Sequence, residues 1–337
     1  MVRGFQANKL KTRLLPKKDL SKGYQKLEAM MMSLVADSLS HEGSYVWGNI
    51  FAPCEILQCF DKRTLSIECL SCYFSGYHLE DYFIDCAQNA GLAPTLCSYH
   101  KTFTGAVESG VLKAPEYAVT TSLSCDGNLN TFRYLEKKIG VPFTFLDVPY
   151  DCDPESVDYL ADQLREMTKS LEKEHYYPGE IISQLYLMMG THLLMGTEEF
   201  RNLVNFMVKD IQTYPRFEGK RILWVHLLPF YQETLRSYFN GSRRYQVIAS
   251  DIVLDYANEL DASDPFRALA VKTIRNIYNG SYAYKAEALG QFAREVDADA
   301  VIHFCHWGCK QASGGSVLLK EKMKEMGKKA MPEGKIG

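Results

Sequence analysis

Residues 116–149 read EYAVTTSLSCDGNLNTFRYLEKKIGVPFTFLDVP and decide the fold class. A β-rich run, EYAVTTSLS, gives way to a helical stretch, NLNTFRYLEKKIG, and then to a second β-rich run, VPFTFLDVP. The same alternation extends upstream as SYVWGNIFA (44–52), EILQCF (55–60), SIECL (66–70) and HLEDYFIDCAQNAGL (78–92). Strands that alternate with helices build an α/β domain around a mostly parallel sheet. Downstream the pattern restarts with KRILWVHLL (220–228), FYQETLRSYFN (230–240) and RYQVIASDI (244–252). Helices through DPFRALAVKTIRNIY (264–278) and YAYKAEALGQFAREVD (282–297) follow, then the strand DAVIHFC (299–305) and a last helix near SVLLKEKMKEMG (316–327).

This rhythm predicts four parts. An N-terminal arm and helix occupy 1–43, the first α/β domain 44–152, a helical connector 153–215 and a second α/β domain 216–337. Asp153-Pro154-Glu155 is a good start for the connector, an acid at the cap with proline at the first helical position. The Met188, Met189 and Met195 stripe within it reads as packing. After Gly327 the chain runs KKAMPEGKIG with no final apolar strand, so the second sheet is expected to lack its last strand and helix.

The chain has 337 residues, 46% hydrophobic and 23% charged, with a formal net charge of −3. That suits a soluble protein of two ordinary domains and excludes disordered and collagen-like chains. No apolar run reaches the roughly 20 residues of a membrane-spanning helix. The basic N-terminus lacks the apolar stretch of a secretory signal, so a cytoplasmic protein is expected. Residues 1–26 carry eight Lys/Arg and one acid, and residues 310–337 seven Lys and three Glu. That leaves 23 of 38 basic and 37 of 41 acidic side chains in the body, a balance of −14. Such a body makes a poor nucleic-acid platform, and the basic ends read as solvated arms.

Ten cysteines stand out. In a reducing cytosol, thiols read as packing residues, metal ligands or catalytic groups rather than disulfides. Ligands of an open parallel sheet bind at the carboxyl ends of strands beside helix N-termini, and that criterion sorts the cysteines. Cys59, Cys69, Cys86 and Cys152 read as packing, and the Cys69/Cys72 pair lacks the second pair a zinc ribbon needs. Cys97 in TLCSYHKTF, Cys125 in SLSCDGN, and Cys305 and Cys309 around FCHWGCK fall in turns. Three thiolates from separate loops can hold three irons of a cubane and leave the fourth open as a Lewis acid. Composition does not separate iron-sulfur from zinc, and three packed thiols remain the plain alternative.

Glu55, two residues after Pro53 and following the first predicted strand, would sit at a helix N-terminus, either as a capping acid or as a proton-exchanging group. His100, His303 and His306 flank the cysteine loops and could hydrogen-bond sulfur or substrate.

TLCSYHK, SCDGN with its following FRYL, HWGCKQASGG and Pro53-x-Glu55 together resemble the 2-hydroxyacyl-CoA dehydratase family, from about residue 44 to residue 326. That family includes benzoyl-CoA-type and double-cubane-cluster reductases. The resemblance implies two flavodoxin-like (Rossmann-like) parallel-sheet domains with helical additions and an iron-sulfur cluster in the crevice between them. Cys97, Cys125 and Cys309 match the cysteine loops, with Cys305 the alternative third ligand, and Glu55 matches the acid that handles protons near substrate.

The activity implied is hydro-lyase chemistry. The β-hydrogen of a 2-hydroxyacyl-CoA is not acidic, so a separate ATP-dependent iron-sulfur activator supplies one electron, a ketyl radical forms, hydroxide leaves and the β-proton becomes removable. The implied cofactor is a [4Fe-4S] cluster or a double cubane. The implied partners are the activator, a sister subunit or second copy, and an acyl-CoA, in the cytoplasm of an anaerobe. A homodimeric double-cubane reductase, a non-catalytic partner subunit and a zinc-binding α/β protein are the rival readings. Family members continue past the helix after the GCK loop with a strand, an acidic loop and a helix, so this C-terminus resembles a truncation.

Overall fold

The computed structural model describes residues 45–58, 63–169, 218–226, 244–252, 263–305, 309–327 and 329–330, with a few isolated positions elsewhere. Two compact units result. The first comprises Met1–Tyr214 with Asn258–Ile274, the second Pro215–Ala257 with Arg275–Gly337.

In the first unit, β1 (Tyr45–Gly48), β2 (Arg63–Ser66), β3 (Tyr117–Thr121) and β4 (Phe143–Leu146) form a parallel sheet in the order β2-β1-β3-β4. All four β1 residues are buried, the mark of a central strand covered on both faces. Strand order reverses between β1 and β3, and a doubly wound sheet offers its ligand crevice at that switch point.

The described helices of this unit are α1 (Glu55–Gln58), α2 (Ile67–Gly76), α3 (Glu80–Asn89), α4 (Ser98–Glu108), α5 (Asp126–Ile139), α6 (Pro154–Lys169) and α7 (Pro265–Ile274). Trp47 of β1 meets Phe103 of α4 edge-on, with ring centroids 4.8 Å apart. α5 buries Phe132 and Leu135 and carries Asp126 in its first turn and Lys137 and Lys138 in its last. That charge placement complements the helix dipole, and Gly140 closes the helix at φ 71°.

Two elements differ from the sequence reading. SIECL is not a strand: β2 ends at Ser66, whose hydroxyl accepts the Cys69 N–H and starts α2. α7 was expected in the second domain but belongs to the first unit. It packs on α6, where Arg165 pairs with Asp264 at 3.5 Å, Arg267 pairs with Asp158, and the Arg165 guanidinium lies 5.3 Å from the Phe266 ring centroid. Apart from isolated positions, the expected N-terminal helix and the connector from residue 170 to its end at 215, with its methionine stripe, lie outside the described residues.

The second unit repeats the first sheet's topology. β5 (Lys220–Val225), β6 (Tyr245–Ser250), β7 (Ala300–His303) and β8 (Lys329–Ala330) run parallel in the order β6-β5-β7-β8. Its described helices are α8 (Tyr282–Glu295), α9 (Lys310–Ser313) and α10 (Ser316–Glu325). Ser281 caps α8 by accepting the Tyr284 N–H at 3.2 Å. Where the sequence reading leaves this sheet a strand short, Lys329 and Ala330 pair with Ala300 and Val301. Ladder bonds come from the backbone, so two residues without an apolar run suffice for a short edge strand. No described helix is long and apolar enough to cross a membrane.

Candidate functional site

At the first switch point, buried Asn49 follows β1 and ties it to the end of β3. Its Oδ1 accepts the Thr121 N–H at 3.0 Å, and its Nδ2 donates to Thr121 Oγ1 at 3.2 Å. Two candidate cysteines open helices in this unit. The Cys97 carbonyl accepts the Lys101 N–H at 3.0 Å as α4 begins, and the Cys125 carbonyl accepts the Asn128 N–H at 2.9 Å as α5 begins. Neither thiol caps its helix.

His100 joins the two helix starts, its Nδ1 2.8 Å from Thr131 Oγ1 on α5. Gly127 leaves room beside them: a Cβ there would stand 3.2 Å from His100 Nε2 and 3.3 Å from Cys125 Sγ. Cys125 and His100 thus meet beside one bare stretch of backbone. The glycine of SCDGN therefore keeps space beside the cysteine, a role the motif alone did not disclose.

Burial lowers the His100 imidazole from 6.5 to about 4, so it is neutral in the fold. The folded form then binds fewer protons than the unfolded chain between those values, and stability falls as pH drops through them. Glu68 acts oppositely, because burial raises its carboxyl to about 7. Comparing wild type with His100→Asn isolates the histidine. By urea unfolding, wild type should lose up to about 3 kcal/mol relative to the variant as pH falls from about 6.5 to about 4. Parallel profiles would refute a neutral buried imidazole.

Glu55 opens α1 as expected, is fully buried, and forms an ion pair with Lys272 of α7. Lys272 was not singled out by the sequence, since it lies 217 residues away.

In the second unit, the Cys309 carbonyl accepts the Ala312 and Ser313 N–H groups where α9 begins, and its Sγ lies 3.6 Å from His226 Nε2. Cys305 Sγ lies 3.5 Å from His303 Nδ1, and His303 Nε2 lies 3.2 Å from the Tyr282 hydroxyl. His303 thus contacts a sulfur as expected, while His306 lies outside the described residues. His226 and Asp251 were missed. Each is the first residue past its strand, β5 and β6 respectively, and that position was the available signal.

The other thiols divide by burial. Cys54, Cys69 and Cys72 are buried; desolvation raises all three, Cys72 to about 12. Cys54 had not been noticed. Cys152 is exposed, contrary to the packing role expected of it, and Cys86 is half-buried. Cys59 lies outside the described residues.

Among the described residues, no three His, Cys, Asp or Glu side chains converge as a metal site. Cys97 and Cys125 stand in the first unit and Cys309 in the second. As donors they suit a thiolate-bound cluster: each begins a helix, none is deeply buried, and Gly127 leaves space beside Cys125.

A family model described as "2-hydroxyglutaryl-CoA dehydratase, D-component" matches residues 49–176 and 173–332. The "(R)-2-hydroxyisocaproyl-CoA dehydratase alpha subunit" of Clostridioides difficile is 22% identical over an alignment of 135 residues that covers 37% of this chain and 33% of that relative. The match therefore spans about a third of the relative's length.

Proposed function

Because the chain belongs to the 2-hydroxyglutaryl-CoA dehydratase D-component family, we propose that it is the iron-sulfur-bearing component of an enzyme that removes water from a 2-hydroxyacyl-CoA. The observation that supports this most is the placement of Cys97, Cys125 and Cys309, each at a helix start and none among the deeply buried thiols.

In this reading Cys97, Cys125 and Cys309 hold a [4Fe-4S] cluster, with Cys305 as the alternative third donor. When bound, a cubane with one iron free of cysteine would relay the activator's low-potential electron and offer a Lewis-acidic iron to the thioester carbonyl. Glu55 accepts the substrate's β-proton, its carboxylate fixed in place by Lys272. Asn49 locks the β1 and β3 ends, so the elements around Glu55 and Cys125 keep their spacing. The partners in this reading are an ATP-dependent iron-sulfur activator, a sister subunit or a second copy of this chain, and the acyl-CoA substrate.

Anaerobic reconstitution with iron and sulfide tests the reading. Wild type should take up about four irons and four sulfides per chain, and a Cys97→Ser/Cys125→Ser/Cys309→Ser variant should take up none above background. Wild type that binds no more iron than the triple variant overturns it.

A further inference from the structure

The second unit contains a buried polar cluster for which the dehydratase reading has no use. Asp251, 1% exposed, accepts the backbone N–H of His226 at Oδ1 (2.8 Å) and the Tyr278 hydroxyl at Oδ2 (2.7 Å). Lys285, 2% exposed, stands 3.1 Å from the same Oδ2 and places its ammonium 3.5 Å from the Tyr278 ring centroid. The Tyr278 ring in turn meets the His226 imidazole edge-on, centroids 6.2 Å apart at 86°. A buried carboxylate that accepts the phenol hydroxyl and ion-pairs the ammonium forms a rigid frame, because loss of the carboxylate or the ammonium leaves an uncompensated buried charge.

The frame holds one residue in an uncommon backbone state. His226 has φ 76°, in the left-handed region that few residues other than glycine adopt, asparagine, aspartate and histidine being the commonest exceptions. Its N–H bond to Asp251 and the tyrosine ring beside it fix the imidazole, leaving Nε2 3.6 Å from Cys309 Sγ. Cys305 has a different neighbour, His303, which is engaged by Tyr282. The two cysteines of FCHWGCK are therefore served by separate histidines: that of Cys309 is bonded directly to Asp251 of the frame, whereas that of Cys305 reaches the frame through Tyr282, whose ring centroid lies 5.5 Å from the Lys285 ammonium.

We propose that His226 is a positioning residue for Cys309: its Nε2–H hydrogen-bonds the sulfur, the Asp251–Tyr278–Lys285 frame aims it, and this selects Cys309 over Cys305 as the second unit's cluster ligand. The inference rests on the cluster-binding reading above. Hydrogen bonds to cysteine sulfur stabilise the reduced, more negative cluster and raise its potential, and partners behind a ligand commonly change metal retention 10–100-fold.

The test compares full-length wild type, His226→Asn, Asp251→Asn and Cys305→Ser after anaerobic reconstitution with iron and sulfide. Asparagine tolerates the left-handed backbone yet is too short to reach the sulfur, so His226→Asn should fold. The readouts are circular dichroism, iron content, the midpoint potential from an EPR-monitored titration, and the rate of iron loss to a chelator.

His226→Asn is expected to show a more negative potential and about tenfold faster iron loss. Asp251→Asn should shift the potential the same way by less, and Cys305→Ser should match wild type. The inference is overturned if folded His226→Asn matches wild type in both potential and iron loss, or if Cys305→Ser alone abolishes binding. Should His226→Asn not fold, an unshifted potential in Asp251→Asn overturns it. Wild type without iron would instead remove the cluster-binding reading itself, and with it this inference.

Discussion

Replacing Lys272 by methionine is expected to destabilise the first unit by about 3–5 kcal/mol, the cost typical of removing one partner from a buried ion pair. Glu55 is fully buried, and the Lys272 side chain that pairs with it is only 11% exposed. Methionine fills a similar volume, so packing is largely kept and the loss reports the charge left behind. The double variant Glu55→Gln/Lys272→Met should recover most of the loss, because a neutral amide in an apolar setting no longer needs a cation. Urea unfolding of Glu55→Gln, Lys272→Met and the double variant measures this, with the coupling energy as the deciding quantity. If the single losses add in the double variant, the pair does not couple and Lys272 does not hold Glu55.

This pair also marks where the sequence stops being informative. The strand–helix alternation was legible because runs such as EYAVTTSLS and NLNTFRYLEKKIG differ locally in composition and period, whereas the Ser66 cap inside SIECL went unread. Boundaries were less so. SYVWGNIFA reads as one apolar run, yet the strand ends at Gly48, and Ile50, Phe51 and Ala52 are buried in the turn beyond it. An apolar run does not distinguish a strand from a buried turn. The return of α7 to the first unit was not legible, since its reasons are Asp158, Arg165 and Glu55, all more than 90 residues away in the chain. Cys125 and Cys309 could be picked out because a turn after a strand is a sequence-level property, while Cys97 lies in a turn between the helices α3 and α4. His226 and Asp251 could not, because a lone polar residue at a strand end gains meaning only from Tyr278 and Lys285, supplied by later parts of the chain.

Gly105→Ala should give the second large effect and connect the fold to the candidate site. Gly105 lies in the middle of α4 where that helix crosses α3, and a Cβ there would sit 1.7 Å from the Phe83 carbonyl oxygen. The obstacle is backbone, which cannot rotate away as a side chain would, so the helices must separate by about 1 Å or more. Overpacking of this kind costs about 1–3 kcal/mol, and a backbone clash belongs at the upper end. The displacement also reaches chemistry, because α4 carries Cys97 at its start and His100 in its first turn. As α4 moves, the His100–Thr131 hydrogen bond that ties it to α5 and Cys125 must stretch. Gly105→Ala should therefore lower the melting temperature and also weaken iron uptake, although the substitution is seven residues beyond the start of α4. A variant that lost stability but took up iron as wild type does would show that α4 and α5 keep their cysteines in place independently of how α3 and α4 pack.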